Sequence, residues 1–376
     1  VAATVYAAKY SRSGGRAGWL LVLQTATSSR RVDVPSDWLV ALAASTDSTN
    51  SLRSSAQSVA QWWTWCADRG LDPLATDAVR FAEFVSALRE VPKAYPLTSG
   101  IRALPGDPRL RASTTVALRV AQIKSFYRWA LANGRTSVHT GRGIVGFKAP
   151  RAARVMRSMR LEPHQVKALF NLDLHPRNRF AVELLYGTGL RAGEALGLWV
   201  EDLCVSELVA RALDCPLASF PGRHLHVRRR LNGNGALAKS PFDRIVPIAP
   251  RVIGAYRDWQ AWAFEHLPES VASPMVFVSV SGPTRGRPLT LSAFNSMWMS
   301  QVKSAPDLKQ VNPHLLRHTY ASELLDAGVD RHTVQELLGH RSPLSLQTYS
   351  HALVVTMVGA VGRLTDWRQQ TIGLNA

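Results

Sequence analysis

At 376 residues the chain is longer than one ordinary hydrophobic core organises, and two domains, each large enough to bury an apolar interior, are expected. Lys and Arg number 45 against 27 Asp and Glu, a formal charge of +18 that calls for a polyanionic partner, nucleic acid ahead of an anionic membrane. The longest early apolar run, Trp19 to Leu23, is far short of the roughly 20 residues of a membrane span, no signal-peptide pattern is recognisable, and Cys66, Cys204 and Cys215 form neither a disulfide framework nor a CxxC pair. A reducing, cytoplasmic location without structural zinc is the expectation.

Residues 1–45 mix one strand candidate, WLLVLQTA, with Ser, Gly and Arg, and read as a short extension of uncertain order. From Ser48 apolar residues recur at intervals of three and four as far as Gly70, with Pro73 just beyond. Asp77 opens a second helical pattern, and Ser113 or Thr114 opens a third that closes on Asn133-Gly134, with a proline- and glycine-rich connection over 92–112. Together they predict an all-helical domain over 46–138. In QWWTWC, three aromatics within four helical positions must point several ways, so at least two of Trp62, Trp63 and Trp65 belong to the core. Residues 139–160 carry Arg142, Lys148, Arg151, Arg154, Arg157 and Arg160 with no acid before Glu162, and read either as a solvated linker or as a basic strap across a phosphate backbone.

Helical patterns resume at LEPHQVKALFNL and RFAVELLYGTG, then give way to three strand candidates, LWVEDLCV, HLHVRRRLN and RIVPI. The last two flank Asn232-Gly-Asn-Gly, a turn signal that predicts a small hairpin-bearing sheet. Arg228, Arg229 and Arg230 alternate faces in that strand, so at most two, expected to be Arg228 and Arg230, meet phosphate together. Helices return to the end. Residues 161–376 thus read as an α+β domain, and the whole chain as mainly α with a small antiparallel β-sheet.

Four segments of this second domain carry polar residues that helix packing does not ask for. In GTGLRAGEALGL, Arg191 and Glu194 stand three apart and share a helix face; alone they are an ordinary ion pair. Lys239 follows the hairpin turn, where a lone lysine is normally just solvated. In NPHLLRHTYASELLDAG, Asn312 is an N-cap, Pro313 fits the first helical position, and His314, Arg317 and His318 share one face near a helix N-terminus, where an anion is favoured. His314 and His318 also have the spacing of a metal pair, but no third ligand is placed as in HExxH. In LGHRSPLSLQTYSH, Gly339 ends a helix, His340 follows, and Ser342-Pro343 begins the helix that bears Tyr349. A tyrosine there, by itself, is a packing residue.

As a set these residues can attack a phosphodiester without a metal or other cofactor. Guanidinium groups stay charged and offer rigid donor forks, so Arg191 and Arg317 can hold the nonbridging oxygens of a pentacoordinate phosphorus. The Tyr349 phenol, ordinarily with a pKa of about 10, needs a base such as His314 and a cationic field to become a nucleophile. His340 can hydrogen-bond the phosphate and Lys239 can protonate the leaving 5' oxygen. Glu194 orients an arginine, and His318 supports the site.

At these residues the chain resembles the tyrosine recombinase, or phage integrase, family. The family pattern is an arginine in a GTGLRxxE-like box, a hairpin lysine, HxLRH, LGH, and a tyrosine nine residues beyond that histidine, matched here in order by Arg191, Lys239, His314 with Arg317, His340 and Tyr349. The upstream helical segment looks like the family's core-binding domain. The resemblance implies a C-shaped clamp on double-stranded DNA, a 3'-phosphotyrosyl intermediate, strand exchange in a homotetramer on two DNA sites, and a nucleoid-associated cytoplasmic enzyme, with room for accessory DNA-bending or directionality proteins. It also implies that a C-terminal segment, here HALVVTMVGAVGRLTDW with its stripe of Leu353, Val354, Met357, Val358 and Val361, is exchanged between subunits rather than packed on its own domain. SELVARALDCPLASFPGR looks inserted between the first two strands, and the lysine is followed by Ser-Pro-Phe where the family favours a smaller turn. A type IB topoisomerase-like relaxing enzyme and a DNA-binding protein without catalysis are the competing readings.

Overall fold

The computed structural model of the chain describes all residues except 1–3, 12–16, 47–48, 96, 98–106, 149–159, 216–222, 239–242, 268–272, 340–350 and 375–376, and leaves aside the side chains of residues 17, 49 and 351–353. Of the expected contacts and site residues, Lys239, His340, Tyr349, Arg151, Arg154 and Arg157 therefore lie outside the described residues, as does the Leu353 side chain. The chain divides into two compact units, Val1–Met156 and Arg157–Ala376.

The first unit contains more than helices. Strands β1 (Thr4–Ser11) and β2 (Ala17–Gln24) pair antiparallel from Thr4↔Gln24 to Ser11↔Ala17, and β3 (Ser29–Arg31) adds to β2. Helix α1 (Asp33–Ser45) follows, then α2 (Thr49–Ala67), α3 (Ala78–Glu90), α4 (Ser113–Ala132) and α5 (Val138–Gly146). Residues 1–45, expected to be an extension, instead contribute to the core: Val5 and Leu21 are buried with Trp38 and Leu39. Thr64 Oγ1 of α2 accepts from Val5 N at 2.9 Å and donates to Val5 O at 3.0 Å, tying the sheet to the helix. Two alternating apolar runs, TVYAAKYS and AGWLLVLQ, carry this sheet; the sequence reading picked up only the second.

The sheet also explains the tryptophans. Trp62, Trp63 and Trp65 are all buried, which a helix achieves only when elements cover it on several sides; α2 is covered by β1, β2, α1 and α4. Trp62 stacks on Trp65 with ring centroids 5.3 Å apart, and its Nε1 donates to Tyr127 Oη at 2.8 Å. At the other end of the unit, Ser137 caps α5, whose Thr140 and Ile144 are buried, and Lys124 Nζ donates to Phe147 O at 2.8 Å. Residues 139–146, expected to open the linker, thus belong to a packed helix: its charge sits on the outer face at Arg142, and the apolar face belongs to the core. Lys148, just beyond it, is exposed.

The second unit is built around α7 (Pro176–Thr188), a helix buried on almost every side and packed between α10 (Pro250–His266) and α12 (Pro313–Asp326). Ahead of α7 lies α6 (Pro163–Phe170); after it come α8 (Ala192–Ala195) and the antiparallel sheet β4 (Leu203–Cys204), β5 (His224–Val227) and β6 (Arg244–Pro247), with α9 (Glu207–Ala212) between β4 and β5. Of LWVEDLCV only Leu203–Cys204 joins that sheet; Val200–Asp202 form a 3-10 turn. Helices α11 (Leu291–Met297), α13 (Arg331–Leu338) and α14 (His351–Ile372) complete the unit, α11 running on through a π-turn at Trp298–Val302. No described helix is long and apolar enough to cross a membrane. The molecule is mainly helical with small antiparallel sheets, as its sequence pattern predicts.

Helix α14 packs against α12 and α13 of its own chain. Val354, Met357, Val361 and Leu364 are buried, the last three in one apolar cluster with Tyr320, Leu324, Leu337 and Leu338. Arg368, also buried, donates to Glu323 Oε2 from Nε at 2.9 Å and from Nη2 at 2.6 Å, and to Tyr186 O at 3.0 Å. Of the stripe foreseen for a neighbouring subunit, Val354, Met357 and Val361 are thus buried within their own chain, and an exchange would have to lift them from it.

Candidate active site

Two helix ends and one strand converge on a buried carboxylate. Helix α7 stops at Gly189, whose φ of +62° turns the chain back into the α8 segment. Helix α13 stops in the same way at Gly339, with φ +63°. Both glycines are required by close approach as well as by backbone angle. A Cβ at position 189 would lie 2.5 Å from Tyr320 Cδ1, and one at 339 would lie 2.9–3.0 Å from three atoms of the Arg244 side chain.

The carbonyls at these two ends hold Arg317. Its Nη1 donates to Gly189 O at 2.7 Å and its Nη2 to Leu338 O at 2.6 Å. Burial, and then the neighbouring Arg191 charge, push its pKa down to about 10, which leaves it cationic at neutral pH. Arg317 belongs to the first part of α12, where Asn312 accepts from Leu315 N at 3.0 Å and Pro313 takes the first position. His314 and His318 lie on the same part of that helix, their rings 4.6 Å apart and edge to face. His314 is exposed and His318 half-buried. Burial first, and Arg317 second, lower the His318 pKa, so its imidazole is neutral at physiological pH.

Glu194 is the hub. Its fully buried side chain accepts from Arg191 N at 3.0 Å, from Arg191 Nη1 at 2.8 Å and from both Arg244 nitrogens, Nη2 at 2.7 Å and Nη1 at 3.3 Å. Arg317 Nη1 stands 3.9 Å from the same carboxylate. Burial alone would raise the Glu194 pKa, but the Arg244 guanidinium, with help from Arg191, outweighs it and holds the carboxyl at about 2. Three guanidiniums thus surround one carboxylate. The cluster keeps an excess of two positive charges in a low-dielectric setting, and it is stable only with an anion nearby or an outlet to solvent. Arg191 supplies that outlet, since 28% of its side chain is exposed while Arg244 and Arg317 are buried.

Of the residues expected at the site, the structure brings Arg191, Glu194 and Arg317 together and places His314 and His318 beside Arg317 on α12. Sequence reasoning missed Arg244. The one available signal was a lone arginine heading the apolar strand RIVPI; its partner lies far away in the chain. Two residues expected to meet phosphate are engaged elsewhere. Arg230 grips Asp202 through Nη1 at 2.5 Å and Nη2 at 3.0 Å, bonds Glu201 at 2.7 Å, and lies over the Trp199 ring. Arg228 stands 3.5 Å from both acids. The acidic 3-10 turn before β4 is thus tied to the segment that follows β5.

The profile of the Phage integrase family matches residues 159–354. Over 253 residues the chain is 30% identical to the tyrosine recombinase XerD of Halalkalibacterium halodurans, covering 66% of this chain and 74% of that one. Over 325 residues it is 29% identical to XerD of Corynebacterium glutamicum, covering 84% and 91%. Among solved structures, a λ integrase (75–356) dimer bound to a COC' core site shares the fold with a TM-score of 0.52 at 15% identity, over 85% of this chain and 98% of that one.

Proposed function

Since the chain belongs to the phage integrase family and is a site-specific tyrosine recombinase, an enzyme that binds, cleaves and rejoins DNA, we propose that the arginine cluster around Glu194 is its scissile-phosphate pocket. The observation that carries this reading is the charge count: three guanidiniums against one buried carboxylate, with Arg191 left partly open. Arg191 and Arg317 hold the nonbridging oxygens, while Arg244 and Glu194 position them. Tyr349 attacks phosphorus and passes its phenolic proton to His314; His340 hydrogen-bonds the phosphate. The bond to the 5' oxygen breaks, that oxygen takes a proton from Lys239, and the 3' phosphate remains on the tyrosine. Rejoining is the same step reversed with a new 5' hydroxyl. The charge that metal-dependent nucleases obtain from two cations comes here from the protein.

In this reading the assembly is a homotetramer on two DNA sites in the cytoplasm, and the basic stretch that includes Lys148, Arg151, Arg154 and Arg157 lies along the phosphate backbone. A suicide duplex nicked near the cleavage point tests the core of it. Wild type is expected to give a detergent-resistant adduct without added magnesium, and Tyr349→Phe to bind the duplex equally well and give none. An adduct in the variant overturns the assignment of the nucleophile.

A further inference from the structure

Among the described residues, one group of thiols and imidazoles stands close enough to hold a metal ion: Cys204, Cys215, His224 and His226, whose donor atoms all lie within 4.8 Å of one another. It sits outside the arginine cluster, with Cys204 on β4, His224 and His226 on β5, and Cys215 in the segment that looks inserted between those strands. We propose that these four side chains form a closed tetrahedral site for a zinc-class divalent cation, which fastens α9 and the inserted segment to the sheet.

Strand geometry assembles the donors. Cys204 pairs directly with His224 across β4 and β5, and His226, two residues further along β5, points to the same face. Cys215 is returned to that face by α9. Ser206 caps the helix, Cys215 N bonds Ala210 O at 2.9 Å, and Asp214, at φ 49° the one non-glycine residue in the left-handed region among the described residues, makes the reversal just before it. All four residues are buried.

The separations have the dimensions of a metal site. Zinc bonds of about 2.3 Å to sulfur and about 2.0–2.1 Å to nitrogen, at tetrahedral angles, place S and N about 3.6 Å apart. Here Cys204 Sγ lies 3.6 Å from His226 Nε2, and Cys215 Sγ lies 3.3 Å from His224 Nε2 and 3.4 Å from His226 Nε2. Thiol–imidazole hydrogen bonds have similar lengths, so distance alone does not decide between them. Donor chemistry and local packing do. Two thiolates neutralise a divalent cation, two imidazoles complete its shell, and the soft S₂N₂ set selects zinc over oxygen-seeking calcium or magnesium. Four buried protein ligands leave no position for water, which assigns a structural rather than a catalytic role. Among the described residues the packing also gives α9 little apolar anchorage. Apart from the two cysteines the local apolar cluster contains only Ala210, and Leu208 of the same six-residue helix faces solvent. A helix this short, with so little apolar burial, is the kind of element that a metal crosslink holds.

Tag-free full-length protein, purified in reductant without chelator and reconstituted with zinc, is expected to retain about one zinc per chain through gel filtration. Cobalt in its place should give thiolate charge-transfer bands and the intense visible bands of tetrahedral coordination. Cys204→Ser and Cys215→Ser should each lower retained metal at least tenfold, whereas Cys66→Ser, a buried thiol of the first unit, should leave it unchanged. Wild type that retains less than a tenth of an equivalent, or whose cobalt complex lacks the thiolate bands, overturns the proposal without any variant having to fold. Equal loss in Cys66→Ser overturns it as well.

Discussion

Two buried polar clusters hang on the same small sheet, one with surplus positive charge and one a set of metal-type donors. At the Arg244 end of β6, three guanidiniums face one carboxylate; at the other end of β5, two thiols face two imidazoles. The first carries surplus positive charge and needs an anion. The second, as we infer it, needs a cation. They differ most in access: Arg191 keeps over a quarter of its side chain in solvent, while every donor of the Cys/His group is buried. A cluster whose missing charge comes and goes with a substrate must keep one member at the surface. One whose missing charge is permanent can close over it.

The widest test of that contrast is catalytic. Arg191→Ala, at the open edge, should lower single-turnover cleavage of a nicked duplex by about 10²–10³-fold with little change in melting, the usual loss for one donor to a transition-state oxyanion. Arg317→Ala should lose as much and also melt earlier, because the Gly189 and Leu338 carbonyls are left without donors. Cys204→Ser should do the reverse: melting falls by roughly 10 °C, about 3 to 4 kcal/mol for a unit of this size, with cleavage below that temperature nearly intact. If Cys204→Ser slows cleavage as much as Arg191→Ala while still folded, the two clusters are one functional system and the distinction fails.

A smaller effect is electrostatic. The folded state holds the Glu194 carboxyl at about 2 against an ordinary 4.5, so between those values the unfolded chain binds a proton that the folded one refuses. The stabilisation, about 3 kcal/mol at most, is full above pH 4.5 and is lost as pH falls toward 2. Comparing wild type with Glu194→Gln removes the contribution of every other acid-sensitive group: their stability gap should narrow steadily below pH 4.5. A gap independent of pH would mean that Arg191, Arg244 and Arg317 do not act on Glu194 as a charge. Smallest is Gly339→Ala, which combines a left-handed backbone with a Cβ pressed on Arg244. It should cost about 1 to 2 kcal/mol by thermal melting and reduce cleavage only through Arg244.

Local chemistry in the sequence foretold much of this. The caps at Asp77 and Asn312 were legible, because a capping side chain acts within three residues of itself. So was the meeting of Arg191 with Glu194, which share one short turn. What the sequence hid depends on partners far along the chain. Arg244 meets Glu194 only because β6 passes α8, and Cys204 meets His224 only because β4 and β5 pair in that register. The four Cys and His donors therefore gather without CxxC spacing, the local signal from which a metal site is usually read. Helix α5 was hidden for another reason: its arginine lies on the exposed face, and a linker shows the same charges.

The sheet that covers α2 has a consequence for the order in which this protein comes into being. Synthesis delivers β1 and β2 before α2 and α4, with Val5 and Leu21 on an apolar face whose partner does not yet exist. Thr64, which will tie the sheet to α2, follows some sixty residues later, and Tyr127, which satisfies the Trp62 indole, comes later still. At elongation rates of about 5–20 residues per second, the nascent hairpin waits of the order of ten seconds before its unit can close. For that interval the most apolar early segment of a strongly basic chain is an open strand pair at the ribosome exit. Closing the first unit therefore waits until α4 has been made.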